Sequence, residues 1–403
     1  MKFSKSSQLV LVSCLGLLAA SLLTACQIVT ADYVFVANNA SVDKSANGQI
    51  AAFALDSETG ALRKGGTAVG SGGVSPVALA STSDYAHLYV ANADSSNIVH
   101  MTLAGTGALT AKDTVTLPST PVAMAVNQTN TFLYAVSGAS SATLTVFPIK
   151  SGALGAAVDQ VSLTLSGFPG DTIVPTGVFV LANGKAVFVT AYDQSAYNPG
   201  GATPSTANPG WIYGFAVGSS GALAPATGSP WKAGVKPSAL AADPTNRFVY
   251  VTDFASNELI GYSIYSESTL QFLINGPFRT GSEPAAIVVD PRGKYIYVAN
   301  SLDATVTGYQ IDLATGTPSA VVNVTGSQNN STGAEPVSIA LDPSEGRYVY
   351  TANLLDNSVS GFRLDPSNGT LKETQANPYP TGTKPTAVLI VPHGNHATQF
   401  VTP

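Results

Sequence analysis

The sequence contains little charge and almost no cysteine. Only 10% of its 403 residues are Asp, Glu, Lys or Arg, whereas about a quarter is usual in soluble domains. The 18 basic residues are outnumbered by 24 acidic ones, which argues against nucleic acid as a partner because such proteins carry basic surfaces. Both cysteines, Cys14 and Cys26, lie near the N-terminus. The chain after them therefore has no thiol for a disulfide, a metal site or a nucleophile.

Residues 1–25 have the pattern of a lipoprotein signal peptide. Lys2 and Lys5 precede an apolar run over residues 9–23, which is short for a membrane span and typical of an export signal. The run ends in the letters LTAC, which resemble the lipobox of bacterial lipoproteins. We therefore expect Cys26 to be lipidated and to become the first mature residue. Ordinary cleavage further along the chain, or an uncleaved anchor, is the alternative.

The residue after the lipidation motif bears on localisation. In Gram-negative lipoproteins an Asp at that position favours the inner membrane, so Gln27 favours the outer one. We expect an extracytoplasmic protein that is anchored to the bacterial membrane, preferably the outer one, through its lipid alone. No later apolar run is long enough to span a bilayer. Losing the signal removes two lysines and no acid, so the net charge changes from −6 to −8.

A pattern of about sixteen residues recurs seven times in the rest of the chain. Each copy opens with Pro, runs through an apolar strand into a turn such as DPRG, and ends with a second strand such as YVAN. A third apolar strand and a weaker fourth one follow. Each unit therefore has the pattern of a four-strand meander, whose strands we call a to d in chain order. The opening prolines are Pro76, Pro121, Pro175, Pro237, Pro284, Pro336 and Pro385.

The repeat predicts an all-β, seven-bladed propeller that spans residues 26–403 as one domain. The opening prolines are 45 to 62 residues apart, and a four-strand sheet of that size cannot bury both faces without neighbours. Strand a is rich in Ala, so we place it next to the axis. Strands b to d at the N-terminus, from Tyr33 to about Val69, lack a strand a, so the strand from Pro385 is expected to complete that blade. An array of two-sheet sandwiches is the alternative.

The repeat also resembles a known family. The strand ends YVAN, YVTD and YTAN, with DPxG turns before them and a D..TG.L pattern after strand c, are similar to those of YVTN-type propellers and 6-phosphogluconolactonase-like lactonases. The resemblance covers nearly all of residues 31–403 and implies the propeller fold. It is much less specific for an activity, because function depends on sites grafted onto folds.

The sequence departs from this family at its catalytic motif. The resemblance implies a His-x-His at the start of one strand a and an Asp-Leu-Gly-x-Asp motif after it. In the matching blade, Lys236 and Ser238 stand at the two His positions. Asp253 matches the first Asp, but Phe254 follows it in place of Leu. The expected general base is therefore missing, while Lys236, Ser238 and Asp253 remain candidate ligand-binding residues.

The residues that precede the opening prolines form a further candidate site. In a meander, the b–c and d–a connections lie on one face of the disc, and these residues surround the axial mouth there. In chain order they are Ser75, Thr120, Val174, Lys236, Glu283, Glu335 and Lys384. We interpret the run Lys, Glu, Glu, Lys in four consecutive blades as a pocket for a small polar ligand.

The same charged run could also open a lactone. Glu283 or Glu335 would be the catalytic base, provided that the neighbouring acid raises its pKa. Lys236 or Lys384 would hold the developing oxyanion. The alternative is two ion pairs, Lys236–Glu283 and Glu335–Lys384, that tie blades together and contribute little each.

An insertion over residues 192–210 interrupts the third copy, which opens with Pro175. We expect it to lie over the same mouth, where Tyr192 and Trp211 can stack on a sugar ring. An ornamental loop is the alternative. The spacing of His393 and His396 is weak evidence for a metal, and we expect neither a metal nor a cofactor.

Two functions remain open from the sequence. The first is a monomeric, lipid-anchored propeller that binds a small polar ligand or another envelope protein. The second is a metal-independent lactone hydrolase with a Lys/Glu site. The residues give no support to a quinoprotein-like redox propeller.

Overall fold

The computed structural model describes residues 30–39, 46–138, 142–165, 171–197, 209–266, 268–323, 325–399 and 401–402. The predicted signal peptide, Cys26 and residues 198–208 of the insertion lie outside this part of the chain. The described residues form strands and turns, with a short 3-10 helix at Gly394–Thr398. No helix in these ranges has the length and apolar character needed to cross a membrane.

The strands form seven antiparallel sheets, which we number as blades 1 to 7. In each blade the strands follow one another from the axis outwards in the order a, b, c, d, as predicted. Strands a are Pro385–Pro392 in blade 1 and then Pro76–Ser81, Pro121–Val126, Ile173–Val180, Pro237–Ala242, Pro284–Val289 and Pro336–Leu341. Strands b are Thr30–Asn38, His87–Asn92, Phe132–Ser137, Ala186–Asp193, Phe248–Asp253, Tyr295–Asn300 and Tyr348–Asn353. Strands c are Gln49–Asp56, Asn97–Leu103, Thr143–Lys150, Gly210–Val217, Glu258–Tyr265, Thr305–Ile311 and Ser358–Leu364.

Strand d is the irregular member of the blade. It is continuous over Leu109–Thr116 in blade 2, whereas in the other six blades it consists of two short segments that both pair with strand c. These pairs of segments are Leu62–Lys64 with Val69–Gly70, Ala153–Leu154 with Asp159–Ser162, Leu223–Pro225 with Trp231–Lys232, Thr269–Phe272 with Phe278–Arg279, Pro318–Ala320 with Asn329–Ser331, and Leu371–Glu373 with Tyr379–Pro380. Strand d lies at the outer rim of each blade. Water can bond there to the main-chain groups that the interrupted strand leaves unpaired.

The ring closes as predicted, with strands from both ends of the chain in blade 1. Strand a from the C-terminus pairs antiparallel with strand b from the N-terminus, from Asp32 opposite Pro392 to Asn38 opposite Pro385. The same strand b pairs with strand c on its other side. The closure leaves no inner strand with an open edge, which would otherwise invite pairing with another chain.

Strand b supplies most of the core. Every residue is buried in the strands b of blades 5, 6 and 7, because strand b has strands a and c beside it and a neighbouring blade over each face. The described residues form seven apolar clusters, each shared by two adjacent blades. Packing between blades, rather than within one blade, is therefore the main source of hydrophobic stabilisation.

A tyrosine in strand b ties several blades to the next one. Its hydroxyl donates to the main-chain carbonyl of a glycine in the c–d turn of the following blade. The pairs are Tyr89 with Gly152 (2.7 Å), Tyr250 with Gly316 (2.7 Å), Tyr297 with Gly369 (2.7 Å) and Tyr350 with Gly60 (2.6 Å). The four glycines have φ from 70° to 82°, a conformation that favours glycine. Blades 1 and 4 have Phe35 and Phe188 at this position, whereas Tyr134 of blade 3 has a buried hydroxyl with no partner.

Tyr297 has a partner for its buried hydroxyl and Tyr134 has none, so removing the hydroxyl oxygen should affect stability at the first position and not at the second. We expect Tyr297→Phe to lower the free energy of unfolding by about 1 kcal/mol, because a buried hydrogen bond to Gly369 is lost. Tyr134→Phe is the matched control, and it should leave stability unchanged or raise it, because its hydroxyl has no partner. Urea unfolding of both variants measures the difference. Equal losses in the two variants would show that the inter-blade bond contributes nothing.

Candidate functional site

The seven strands a surround an axial channel of about 780 Å³. Its wall is formed mainly by small and apolar side chains such as Ala and Val, together with a few hydroxyls. The Ala-rich pattern of strand a thus places small residues at the axis, as the sequence predicts. The charged wall residues Asp243 and Asp290 lie in the a–b turns, where their carboxylates accept main-chain N–H groups.

Two hydroxyls of the channel wall form hydrogen bonds to a neighbouring blade. The Ser238 hydroxyl donates to the carbonyl of Pro284 in the next blade at 2.5 Å, and the Thr386 hydroxyl donates to that of Pro76 at 2.6 Å. The Ser238 oxygen also lies 2.8 Å from the Thr252 hydroxyl. Ser238, a predicted ligand-binding residue, is thus occupied by protein contacts, and the channel wall is largely apolar in character.

Asp253 holds the connection that leads into strand a of blade 5. Its carboxylate is fully buried and accepts the main-chain N–H groups of Val235 (2.7 Å), Lys236 (2.9 Å) and Ala255 (3.2 Å). The structure therefore gives Asp253 the role of positioning the backbone at Lys236. Its binding to a ligand stays a prediction.

Lys236 lies among three aromatic rings at the mouth. Its Nζ is 4.7 Å from the ring centroid of Phe254, 5.3 Å from that of Tyr197 and 5.6 Å from that of Tyr192. All three distances are within the range of cation–π attraction. The two tyrosines contact each other edge to face at 5.5 Å. The first residues of the insertion therefore surround Lys236. Phe254, which the sequence analysis named only as a departure from the family motif, completes the group.

Trp211 has different surroundings from Tyr192. The Nζ of Lys232 lies 3.6 Å above its ring centroid, and the ring packs against the apolar cluster between blades 3 and 4. Its indole N–H is buried without a hydrogen-bond partner. Lys232 thus covers the Trp211 ring face on which a ligand would stack. Stacking of Trp211 on a ligand stays a prediction.

The backbone before four of the opening prolines is in the left-handed region. The φ angles are 56° at Ser75, 55° at Glu283, 56° at Glu335 and 47° at Lys384. This conformation is uncommon outside glycine and is often found at functional sites. Here the uncharged Ser75 has the same left-handed conformation as the three charged residues. The conformation is therefore a recurring feature of the connection between strand d and strand a. It does not single out Glu283 or Glu335 as catalytic.

The charged residues of the mouth are half-buried, and asparagine side chains bind the main-chain N–H groups of two of them. The N–H of Glu283 donates to the Asn257 side chain at 2.7 Å, and the N–H of Lys384 donates to that of Asn357 at 2.7 Å. Among the ion pairs of the described residues, none joins Lys236 to Glu283 or Glu335 to Lys384. The alternative of two stabilising ion pairs is therefore not what the structure forms.

The four histidines lie in two other places. In blade 2, His87 Nδ1 is 2.9 Å from His100 Nε2, and His100 Nδ1 is 2.8 Å from Asp113 Oδ2. Because a carboxylate only accepts, His100 donates to Asp113 and accepts from His87 when both rings are neutral. His393 and His396 follow the last strand, at the a–b turn face of the disc.

Comparisons with known proteins agree with the fold. The family model described as "Lactonase, 7-bladed beta-propeller" matches residues 34–173 and 214–396, and the stretch between these ranges contains the insertion. The periplasmic gluconolactonase of Pseudomonas aeruginosa is similar over 89% of this chain and 99% of its own, at 19% identity and a TM-score of 0.72. A Bacteroides fragilis protein, provisionally assigned as a 6-phosphogluconolactonase, is similar over 90% of this chain and 98% of its own, at 20% identity and a TM-score of 0.71. At these identities the likeness concerns the fold alone. No curated protein matches the sequence significantly.

The histidine pair of blade 2 predicts a pH effect on stability. Burial, and then the neighbouring His100, lower the pKa of His87 below its ordinary value, although Asp84 and Asp113 oppose the shift. The unfolded chain therefore binds the proton more readily, so this contribution to stability is present above about pH 6.5 and is lost as the pH falls through the folded pKa. We expect His87→Gln to lose less stability than the wild type between about pH 7.5 and 5.5. Thermal unfolding across this range tests it, and identical pH profiles would contradict it.

Proposed function

Because the chain belongs to the lactonase family of seven-bladed β-propellers, we propose that it is a lipid-anchored, extracytoplasmic protein that binds a small polar ligand at the mouth around Lys236. The observation that carries this proposal is the group of aromatic rings around the Lys236 ammonium. A cation beside aromatic faces suits a ligand in which a carboxylate or phosphate is attached to a sugar-like ring or chain. The ammonium binds the anionic group, and the ring faces contact the carbon skeleton.

The residues at the two positions where the family has histidines favour ligand binding without hydrolysis. Lys236 and Ser238 occupy the two positions. The Ser238 hydroxyl proton is engaged by the Pro284 carbonyl, and the Lys236 ammonium has no proton-accepting role. Neither residue can therefore act as the general base that lactone hydrolysis needs.

The position of the N-terminal strand supports an orientation of the anchored disc. Thr30, the first residue of strand b in blade 1, comes four residues after Cys26. Four extended residues span at most about 14 Å, so a lipid on Cys26 would hold the start of this strand close to the bilayer. Strand b starts at the a–b turn face, which would then face the membrane. The mouth at Lys236 lies on the opposite face and would be open to ligands or envelope proteins.

Lactone hydrolysis is the second candidate function. It is favoured by the likeness to the periplasmic gluconolactonase of Pseudomonas aeruginosa and by two half-buried carboxyl groups, Glu283 and Glu335, in the ring of residues at the mouth. One of them would deprotonate the attacking water, and Lys236 or Lys384 would stabilise the oxyanion. This reaction needs no metal.

Ligand binding and hydrolysis are separated by one set of experiments on the mature chain. We expect gluconate or 6-phosphogluconate to bind in isothermal titration calorimetry, while the corresponding lactones are not hydrolysed faster than in buffer. Lys236→Met removes the charge but keeps most of the stem, and it should weaken binding by about tenfold or more. Lys294→Met is the matched control, because Lys294 is exposed in an a–b turn on the opposite face.

Two results would contradict the proposal. Lactone turnover that is lost in Glu283→Gln or Glu335→Gln would make the protein a hydrolase with a rebuilt site. No binding of any sugar acid or lactone, or equal binding by the Lys236 and Lys294 variants, would exclude the mouth as a small-ligand site. The remaining partner to test would then be an envelope protein, by capture with the lipidated chain.

A further inference from the structure

Four titratable side chains meet on the a–b turn face, where the first described strand begins and the last one ends. Asp32 lies in strand b of blade 1, Asp342 and Glu345 lie in the a–b turn of blade 7, and His396 lies in the 3-10 helix after the last strand. His396 Nδ1 is 2.5 Å from Asp32 Oδ1. His396 Nε2 is 4.0 Å from Asp342 Oδ2 and 3.6 Å from Glu345 Oε2. The imidazole thus has carboxylates on both of its nitrogens.

Equivalent aspartates in other blades have an arginine beside them. Asp243 and Asp290 occupy the same turn position in blades 5 and 6 as Asp342 does in blade 7. Arg247 lies 3.5 Å from Asp243, and Arg292 lies 2.7 Å from Asp290. Each of these buried carboxylates is therefore neutralised within its own turn, as buried charges usually are.

Asp342 has no such arginine, and a second acid lies next to it. Arg347, from the same turn, pairs with Glu345 instead. Asp32 and Asp342 are both 0% exposed, and Asp342 accepts the main-chain N–H groups of Ser344, Glu345 and Arg347. Two buried carboxylates thus share one imidazole as their nearby cationic group. Such a concentration of buried negative charge requires a cation or protonation.

One buried oxygen atom in the cluster, Asp32 Oδ2, has no hydrogen-bond partner among the described residues. Unsatisfied buried oxygens are rare in native structures and point to an unaccounted ligand or ion.

We propose that Asp32, Asp342 and His396 form a binding site for a divalent cation of the zinc type. One ligand atom from each of the three residues lies within 4.8 Å of the others. An imidazole with two carboxylates is a donor set that Zn²⁺ accepts, and its nitrogen disfavours Ca²⁺ and Mg²⁺, which take oxygen ligands. Glu345, whose carboxylate lies 3.6 Å from His396 Nε2, is placed to supply a fourth ligand.

The cation would staple the ring closure. Asp32 and His396 are 364 residues apart in sequence. Asp32 lies in strand b of blade 1, and His396 follows strand a, whose pairing with that strand b completes the blade. Asp342 adds a contact to blade 7. An ion that binds only the closed ring stabilises it by mass action. His393, the other member of the spaced pair in the sequence, packs against the Tyr33 ring at 5.0 Å instead of joining the site.

Metal binding by the full mature chain tests this site. After treatment with a chelator, we expect Zn²⁺ to raise the melting temperature by several degrees, with one ion bound per chain, and Ca²⁺ to have little effect. Co²⁺ should give the visible absorption bands of a nitrogen- and oxygen-ligated ion in the wild type. His396→Gln and Asp32→Asn should remove both effects, and His393→Gln is the matched control that should keep them.

The outcomes are distinct. The absence of any Zn²⁺ stabilisation and of Co²⁺ bands in the wild type would overturn the proposal, whether or not the variants fold, and would leave Asp32 and His396 as a simple ion pair. Stabilisation that survives His396→Gln would also overturn it, by placing the ion elsewhere. If only His393→Gln lost the Zn²⁺ and Co²⁺ effects, the metal would bind His393 and not His396, which would also overturn the proposed site.

Discussion

Every blade depends on its neighbours because no blade can cover its own strand b. The side chains of this strand fill the space between blades, so half of each apolar cluster comes from the next blade. A single sheet would leave these surfaces in water, and the hydrophobic effect therefore favours only the closed ring. The pairing of the C-terminal strand with the N-terminal one follows from this requirement. So does the low charge of the sequence, since most of each blade is interior.

Ring closure also separates the two faces of the disc. One face has short a–b turns, the 3-10 helix after the last strand and the buried group of Asp32, Asp342 and His396. The other face has the insertion and the lysine with its aromatic rings. A largely apolar cavity lies between them along the axis, lined by the strands a. The two proposals in this protein, an ion that strengthens closure and a polar ligand at the mouth, therefore concern opposite faces and are independent of each other.

The repeat made the fold predictable, because strand periodicity and turn residues are local properties that recur seven times. The blade number, the axial position of strand a and the closure are confirmed by the structure. The interruption of strand d was not predicted, since short rim segments carry no strong apolar pattern. The tyrosine to glycine bonds could have been noticed, because both residues recur at fixed places in the repeat.

The sites were less predictable, because their geometry depends on contacts between distant residues. The run of charged residues before the opening prolines suggested a polar pocket, with two ion pairs as the alternative, and neither of these ion pairs forms among the described residues. Asp32 and His396 meet only because the ring closes. Nothing in the local sequence around either residue indicates the other. Contacts of this kind follow from the fold once it is known, rather than from a motif.

The dependence of all blades on closure is tested most directly by hydrogen exchange on a chain that ends at residue 384. Such a chain lacks strand a of blade 1 but keeps six complete blades. We predict that the amides of strand b lose protection in every blade, because an open ring leaves the terminal clusters exposed and the remaining packing no longer cooperative. Native-like protection in blades 3 to 6 of the shortened chain would contradict this view. It would show that neighbouring blades suffice without a closed ring.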